Sequence, residues 1–184
     1  MEERELITAA TQGDRRAFEA LIRLHEDRVF AICMGVIRSR DLALEATQET
    51  FITLYRKLDR FDGKSAFSTW LYRVTTNTCY DVLRRAKRHL AEPLPEYHDP
   101  ADSGAQDDLD AVELRPDLRD ALAAIPEEFR AAVVLSDLEG LPVAEVAEIL
   151  EVPPGTVKSR VFRGRRLLAE FLGNRSDPPE RPTP

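Results

Sequence analysis

Glycine, histidine, cysteine and tryptophan are scarce: eight, three, two and one in 184 residues. Few glycines and little strand-like alternation, beside abundant Leu, Ala, Glu and Arg, point to an all-helical chain. No apolar run approaches the roughly 20 residues needed to cross a bilayer, so no membrane insertion is expected. The opening Met1-Glu2-Glu3-Arg4-Glu5 leads into no apolar segment. A secretory signal is therefore not expected, and a cytoplasmic location is. Cys33 and Cys79 form no CxxC or metal spacing. They read as reduced core thiols, with a Cys33–Cys79 redox switch as the sharper alternative. His25, His89 and His98 accompany no nucleophile, phosphate loop or metal-ligand spacing, and the carboxylates are scattered over helix faces and a linker. Neither an enzyme nor a cofactor is expected.

Basic excess is lacking too; the net charge is −7. Between residues 91 and 115 stand eight acids (Glu92, Glu96, Asp99, Asp102, Asp107, Asp108, Asp110, Glu113) against one base, Arg115. That segment alone accounts for the excess, and the remainder is neutral. Pro93, Pro95, Pro100, Ser103 and Gly104 break its periodicity, so it reads as a flexible acidic linker. The chain divides into residues 1–91, a linker at 92–113, a second domain at 114–173 and a proline-rich disordered tail at 174–184.

Four helices are expected before the linker: Glu3 to about Thr11, Asp14 to about Ile37, Asp41 to Lys57, and Ser65 or Ala66 to about Leu90. The second has Phe18, Leu21, Ile22, Val29, Ile32 and Cys33 on its apolar face. The third turns Phe51, Ile52 and Leu54 inward. The fourth buries Phe67, Leu71, Val74 and Val82. After the linker come helices from about Leu114 to Ala124 and from Pro126 to Gly140.

The stretch from residue 143 is more specific. Val143, Val146, Ala147 and Leu150 recur at helical spacing, Pro153-Pro154-Gly155 punctuates, and a second helix buries Val157, Val161 and Leu168. Ser159, Phe162, Arg163 and Arg166 then point outward, with Lys158 and Arg165 on one flank. A helix-turn-helix places such a second helix in the major groove, where arginine forks onto guanine. An exposed Phe162 needs a cover, either nucleic acid or another helix.

On the fourth helix, Arg73, Asn77, Tyr80, Arg84 and Lys87 share one stripe. Cations suit phosphates, rings suit unstacked bases, and an amide suits a base edge. The plainer reading is a solvated surface.

The motifs Thr47-Gln48-Glu49-Thr50-Phe51, Phe67-Ser68-Thr69-Trp70-Leu71-Tyr72-Arg73 with Asn77-Thr78, Leu122-Ala123-Ala124-Ile125-Pro126-Glu127-Glu128-Phe129-Arg130, Glu139-Gly140-Leu141 and Gly155-Thr156-Val157-Lys158-Ser159-Arg160 occur in this order. Together they resemble an extracytoplasmic-function (group IV) sigma factor of bacterial RNA polymerase, over nearly the whole chain. The resemblance implies a sigma region 2 helical bundle and a sigma region 4 helix-turn-helix. It also implies promoter-directed transcription initiation, transcription regulation and a part in stress response. The implied partners are core polymerase, through its clamp and flap regions, promoter DNA and an anti-sigma factor, with a monomer when free. Clamp docking falls on Glu45, Gln48, Glu49, Phe51 and Tyr55. Recognition and melting of the −10 element fall on Phe61, Lys64, Arg73, Asn77, Tyr80, Arg84, Arg85 and Lys87, with Asn77 at the base-reading position. Recognition of the −35 duplex falls on Thr156, Lys158, Ser159, Arg160, Phe162, Arg163 and Arg166. One departure is Leu44, where many members carry an acid. An ordinary helix-turn-helix regulator is the rival reading, and it predicts a dimer that binds DNA without polymerase.

Overall fold

Asp14 starts the longest element of the first two helices. Its side chain accepts hydrogen bonds from the backbone N–H groups of Arg16 and Ala17 at 2.8 and 3.2 Å, so the first turn of the helix is satisfied where it begins. Glu2 and Glu5 form a capping box one helix earlier, and Ser39 caps the next. The computed structural model describes residues 2–37, 39–91 and 116–176. Its helices are α1 (Glu3–Thr11), α2 (Arg15–Val36), α3 (Arg40–Lys57), α4 (Phe67–Ala91), α5 (Pro116–Ala124), α6 (Glu127–Val133), α7 (Val143–Leu150) and α8 (Pro154–Ser176). A 3₁₀ turn, Leu58–Arg60, follows α3, and α6 continues as a π turn over Val134–Leu138. No strand occurs among the described residues. The architecture is all-α, in two helical halves.

In the N-terminal half, α2, α3 and α4 pack around Val29, Ile32, Val36, Leu54, Leu71 and Val82. The phase of α3 differs from the expected one. Ala43, Ala46, Thr50 and Leu54 face inward, Phe51 is half-buried, and Ile52 lies outside at 50% exposure. Thr50 is buried without penalty because its hydroxyl donates to the Ala46 carbonyl at 2.7 Å. Val74 on α4 is likewise only half-buried.

In the C-terminal half, Leu122, Ile125, Val133, Leu135, Val146, Ile149, Val157 and Val161 form the core. Gly164 lets α8 lie against α6: a Cβ there would come within 2.5 Å of a Val133 methyl. The helix expected from Pro126 to Gly140 is α6 plus the π turn, and Gly140 ends it with φ +67°. Helix α8 runs three residues beyond the expected boundary at 173. The acidic linker, the start of the helix expected from Leu114, and the tail from 177 lie outside the described residues.

The two halves are in contact. Arg28 on α2 donates from Nε to Glu139 at 2.6 Å and from Nη2 to the Glu139 carbonyl at 2.8 Å. Gly35 on α2 meets Val134 so closely that a Cβ would lie 2.8 Å from its methyl carbon. Along α4, the side facing the C-terminal half carries Thr69, Arg73, Tyr80 and Lys87.

Candidate nucleic-acid interface

Helices α7 and α8 meet at a turn with Glu151 in the left-handed region (φ 53°, ψ 42°), and the Val152 N–H returns to the Ala147 carbonyl at 3.1 Å. This turn fixes the phase of α8. Val157 and Val161 go into the core, while Lys158, Ser159, Phe162, Arg163 and Arg166 stand exposed on the other side. Phe162 is 68% exposed, so no helix among the described residues covers it. Thr156 is half-buried at the start of the face.

The cations of α8 are not equivalent. Arg165 forms a bidentate pair with Asp137 at 2.6 and 2.9 Å. Arg166 pairs with Glu170 at 3.5 Å, one turn on. Arg160 is half-buried and turned towards Glu128 at 3.3 Å, away from the outer face. Lys158 and Arg163 make no ion pair among the described residues. They and Phe162 therefore form the uncommitted centre of the surface.

The stripe on α4 is split. Asn77 and Arg84 are exposed, with Arg84 held to Asp81 one turn before it. Arg73, Tyr80 and Lys87 touch the C-terminal half instead. Arg73 donates from Nε to the Glu148 carbonyl at 3.1 Å and lies 3.8 Å from the Glu151 carboxylate. Lys87 pairs with Glu127 at 2.6 Å. Burial pushes the Tyr80 phenol up to about 12, so it stays neutral at ordinary pH.

The loop between α3 and α4 contributes less freely than expected. Phe61 packs on Phe67 and Trp70, at centroid distances of 5.5 and 5.3 Å, and is half-buried. It belongs to an aromatic cluster, which holds it away from solvent. Lys64 remains exposed beside Asp62 at 2.7 Å. A cavity of about 460 Å³ opens between this loop and α1, lined by Glu3, Ile7, Thr8, Phe61, Ser65 and Phe67. Asn77 does not line it.

Residues 21–89 match the Sigma-70 region 2 family, and residues 115–168 match Sigma-70, region 4. The chain is 39% identical over 169 residues to the ECF RNA polymerase sigma factor SigM of Mycobacterium tuberculosis, covering 92% of this chain and 84% of that one. It is 31% identical over 176 residues to the ECF RNA polymerase sigma factor SigW of Bacillus subtilis, covering 90% and 94%. This chain belongs to the ECF sigma factors. Among solved structures, the sigma factor RpoE of Bartonella quintana, in complex with the anti-sigma factor NepR, aligns with a TM-score of 0.67 at 26% identity, over 85% of this chain and 96% of that one. CnrH, in complex with the cytosolic domain of CnrY, shares the fold with a TM-score of 0.70 at 23% identity, over 94% and 97%. The protein is thus a sigma factor: it binds core RNA polymerase and promoter DNA in transcription initiation and is not an enzyme.

Within region 2, the exposed face of α3 holds Glu45, Gln48 and Tyr55, together with Leu44 and Ile52. Leu44, Gln48, Ile52 and Tyr55 follow at i, i+4, i+8 and i+11, one stripe of a helix. Leu44 and Ile52 are absent from the set that sequence supplies, although that spacing would have found them. Tyr55 is 64% exposed and steadied edge-on by Phe18 at 5.0 Å. Glu45 and Glu49 both accept from Arg85 of α4, at 3.0 and 2.6 Å. The structure therefore joins Arg85, expected on the −10 face, to the face expected to dock on polymerase.

Cys33 and Cys79 meet in the region 2 core with sulfurs 3.6 Å apart, both fully buried. The shared hydrogen bond and burial push the Cys79 thiol well above its usual range. Among the described residues no helix is long and apolar enough to cross a membrane.

Proposed function

We propose that this sigma factor docks on the polymerase clamp through the outer face of α3, reads the −35 duplex with α8 and captures the melted −10 strand with α4. The division follows residues 1–91 and 114–173, with 92–113 as the connection. The observation that carries the reading is the uncommitted surface of α8. Lys158 and Arg163 lack acidic partners among the described residues and flank an exposed Phe162, on a helix presented by a helix-turn-helix. Cations of this kind neutralise phosphates, an arginine fork can read guanine, and an aromatic ring can lie on a thymine methyl. Two modest DNA contacts become a strong one when polymerase fixes both elements at their separation. The free protein acts as a monomer in the cytoplasm, where its promoters are. Control by an anti-sigma factor is supported by the RpoE neighbour, solved with NepR bound.

Run-off transcription with core polymerase and this chain, on genomic promoter fragments, tests the reading. A specific transcript that needs both components supports it. A stable dimer that binds a duplex operator tightly without polymerase would overturn it in favour of an ordinary regulator.

Gln48→Ala is expected to leave the protein folded and to weaken its affinity for core polymerase. Gln48 is exposed and caps no helix, so folding has little stake in it. Phe51→Ala is a poorer test, because that ring is half-buried and its loss costs region 2 stability. Undiminished polymerase binding by Gln48→Ala would remove this residue from the docking face.

Arg163→Ala and Lys158→Ala are expected to weaken use of the upstream element. If either side chain forks onto a base, its removal lowers discrimination there by about 1–3 kcal/mol; if it serves only a phosphate, its removal weakens all sequences alike. Transcription from promoters with single changes in the −35 element separates the two. No loss on any template would mark the face as plain solvated surface.

A further inference from the structure

The acidic side of region 4 carries groups for which the −35 reading has no use. Glu127 lies at the start of α6, Glu139 after the π turn, Glu145 on α7 and Glu151 in the helix-turn-helix turn. All four point at region 2. Glu127 holds Lys87 at 2.6 Å, Glu139 holds Arg28 at 2.6 Å, Glu145 accepts from the Thr69 hydroxyl at 3.0 Å, and Glu151 lies 3.8 Å from Arg73. Arg73 also donates to the Glu148 carbonyl. Arg130 of α6 reaches across as well, donating from Nη1 to the Val36 carbonyl at 2.6 Å. Three of the α4 groups assigned to the −10 strand, Arg73, Tyr80 and Lys87, are taken up at this seam.

We propose that this acidic face of region 4 is a docking surface for region 2 of the same chain, on which carboxylates occupy the places of the −10 strand phosphates. The closed form and the promoter strand then compete for α4. The proposal rests on the assignment of α4 to the −10 strand. The chemistry fits the competition. An Arg or Lys that serves a phosphate is equally served by a carboxylate, and several exposed pairs along one seam act together where a single pair contributes little. The seam is closely fitted at Gly35, where nothing larger than hydrogen clears the stiff, β-branched Val134. The −35 surface takes no part: Lys158, Phe162 and Arg163 stay exposed in the closed form. Closure thus blocks one DNA element and leaves the other accessible. Polymerase, by holding region 2 on its clamp and region 4 at the upstream element, would keep the seam apart.

Two variants outside the DNA and clamp surfaces test this. Gly35→Ala places a methyl group against Val134 and forces the halves apart. Arg28→Cys with Glu139→Cys allows the seam to be bridged by a bis-methanethiosulfonate reagent that thiols cleave; the native cysteines are buried and shielded from it. The probe is a fluorescein-labelled single strand carrying the non-template −10 sequence of a promoter found by run-off transcription. Duplex −35 DNA serves as the internal control, and circular dichroism checks folding. Apparent affinity scales with the fraction of open protein, so Gly35→Ala should bind the strand roughly fivefold more tightly or better. The bridged protein should lose strand binding and regain it on reduction. Duplex −35 binding should be equal throughout. Equal strand binding by bridged and reduced protein would overturn the proposal, and decides the matter even if Gly35→Ala fails to fold. No strand binding by either form, with or without core polymerase, would overturn the assignment of α4 beneath it.

Discussion

Asn77→Ala is expected to lower promoter opening by about 5- to 150-fold, the equivalent of about 1–3 kcal/mol for two hydrogen bonds to one base edge. Polymerase docking and upstream-element binding should be unchanged. The residue is exposed on α4 and outside the seam with region 4, unlike Arg73, Tyr80 and Lys87 around it. Folding therefore has little stake in this exposed amide, and a defect would report on DNA. A base drawn out of the stack must recover pairing and stacking from the protein, and a side-chain amide offers a donor and an acceptor together. Arg84, two turns on and paired with Asp81, shares the exposed side of α4 with it. On a template with a pre-melted bubble the cost of opening is already met, so part of the activity should return. Permanganate reactivity of unpaired thymines on duplex and bubble templates reads both outcomes. Duplex opening equal to that of the unsubstituted protein would remove Asn77 from base capture and leave its stripe as phosphate contact or surface.

The helices with strong apolar periods were legible in the sequence. Val157 and Val161 could face only one way, and their spacing set Lys158, Phe162 and Arg163 on the outside. Helix α3 was not legible in the same way. Its inner face is Ala43, Ala46, Thr50 and Leu54, mostly small or hydroxyl-bearing, while the bulky Phe51 and Ile52 are neighbours about 100° apart. Bulk suggested that both point inward; packing admits Phe51 only in part and leaves Ile52 outside. The outer face of α3, proposed to dock on polymerase, is consequently more apolar than sequence indicated, with Leu44 and Ile52 bracketing Gln48. Tertiary pairs were beyond reach for a different reason. That Arg85 holds Glu45 and Glu49, or that Lys87 meets Glu127, depends on how separate helices come together, and no local period encodes it.

The Arg85 link bears on how the two jobs of region 2 are coordinated. Glu45 and Glu49 belong to the face assigned to the clamp, Arg85 to the helix assigned to the −10 strand, and the two carboxylates lie 3.0 and 2.6 Å from the guanidinium. If, as proposed, these carboxylates dock on polymerase, a cation there that drew on them would loosen their hold on Arg85. Coupling of this kind is reciprocal, so strand binding would favour docking to the same degree. The pair is partly exposed, which keeps the effect modest.

Arg130→Met is expected to be far more costly to folding, and its cost falls on region 4. The guanidinium is 5% exposed. Its Nε donates at 2.7 Å to the Leu122 carbonyl, which also accepts from the Ile125 N–H at 3.3 Å. Its Nη2 donates to the Ala123 and Ile125 carbonyls at 3.4 and 2.8 Å, so it ties off the end of α5, where intrahelical partners run out. Nη1 serves Val36 across the seam. Methionine keeps the length and the apolar stem but supplies no donor. A buried acceptor left unsatisfied costs about 1–3 kcal/mol. Removing the guanidinium also removes the penalty of burying it, and water can reach Val36 once the seam loosens. The net destabilisation should therefore be about 2–4 kcal/mol, less than the sum over all its bonds. Lysine should not restore it, because a point charge cannot fork onto four carbonyls set at different angles. The chain's single tryptophan separates the two halves in a urea titration. Trp70 sits in region 2 against Phe61, so its fluorescence follows that half, while far-ultraviolet circular dichroism follows both. In Arg130→Met the dichroism should show an earlier transition from region 4, with the Trp70 midpoint moving much less. Unchanged midpoints by both probes would mean that these hydrogen bonds give region 4 no net stability.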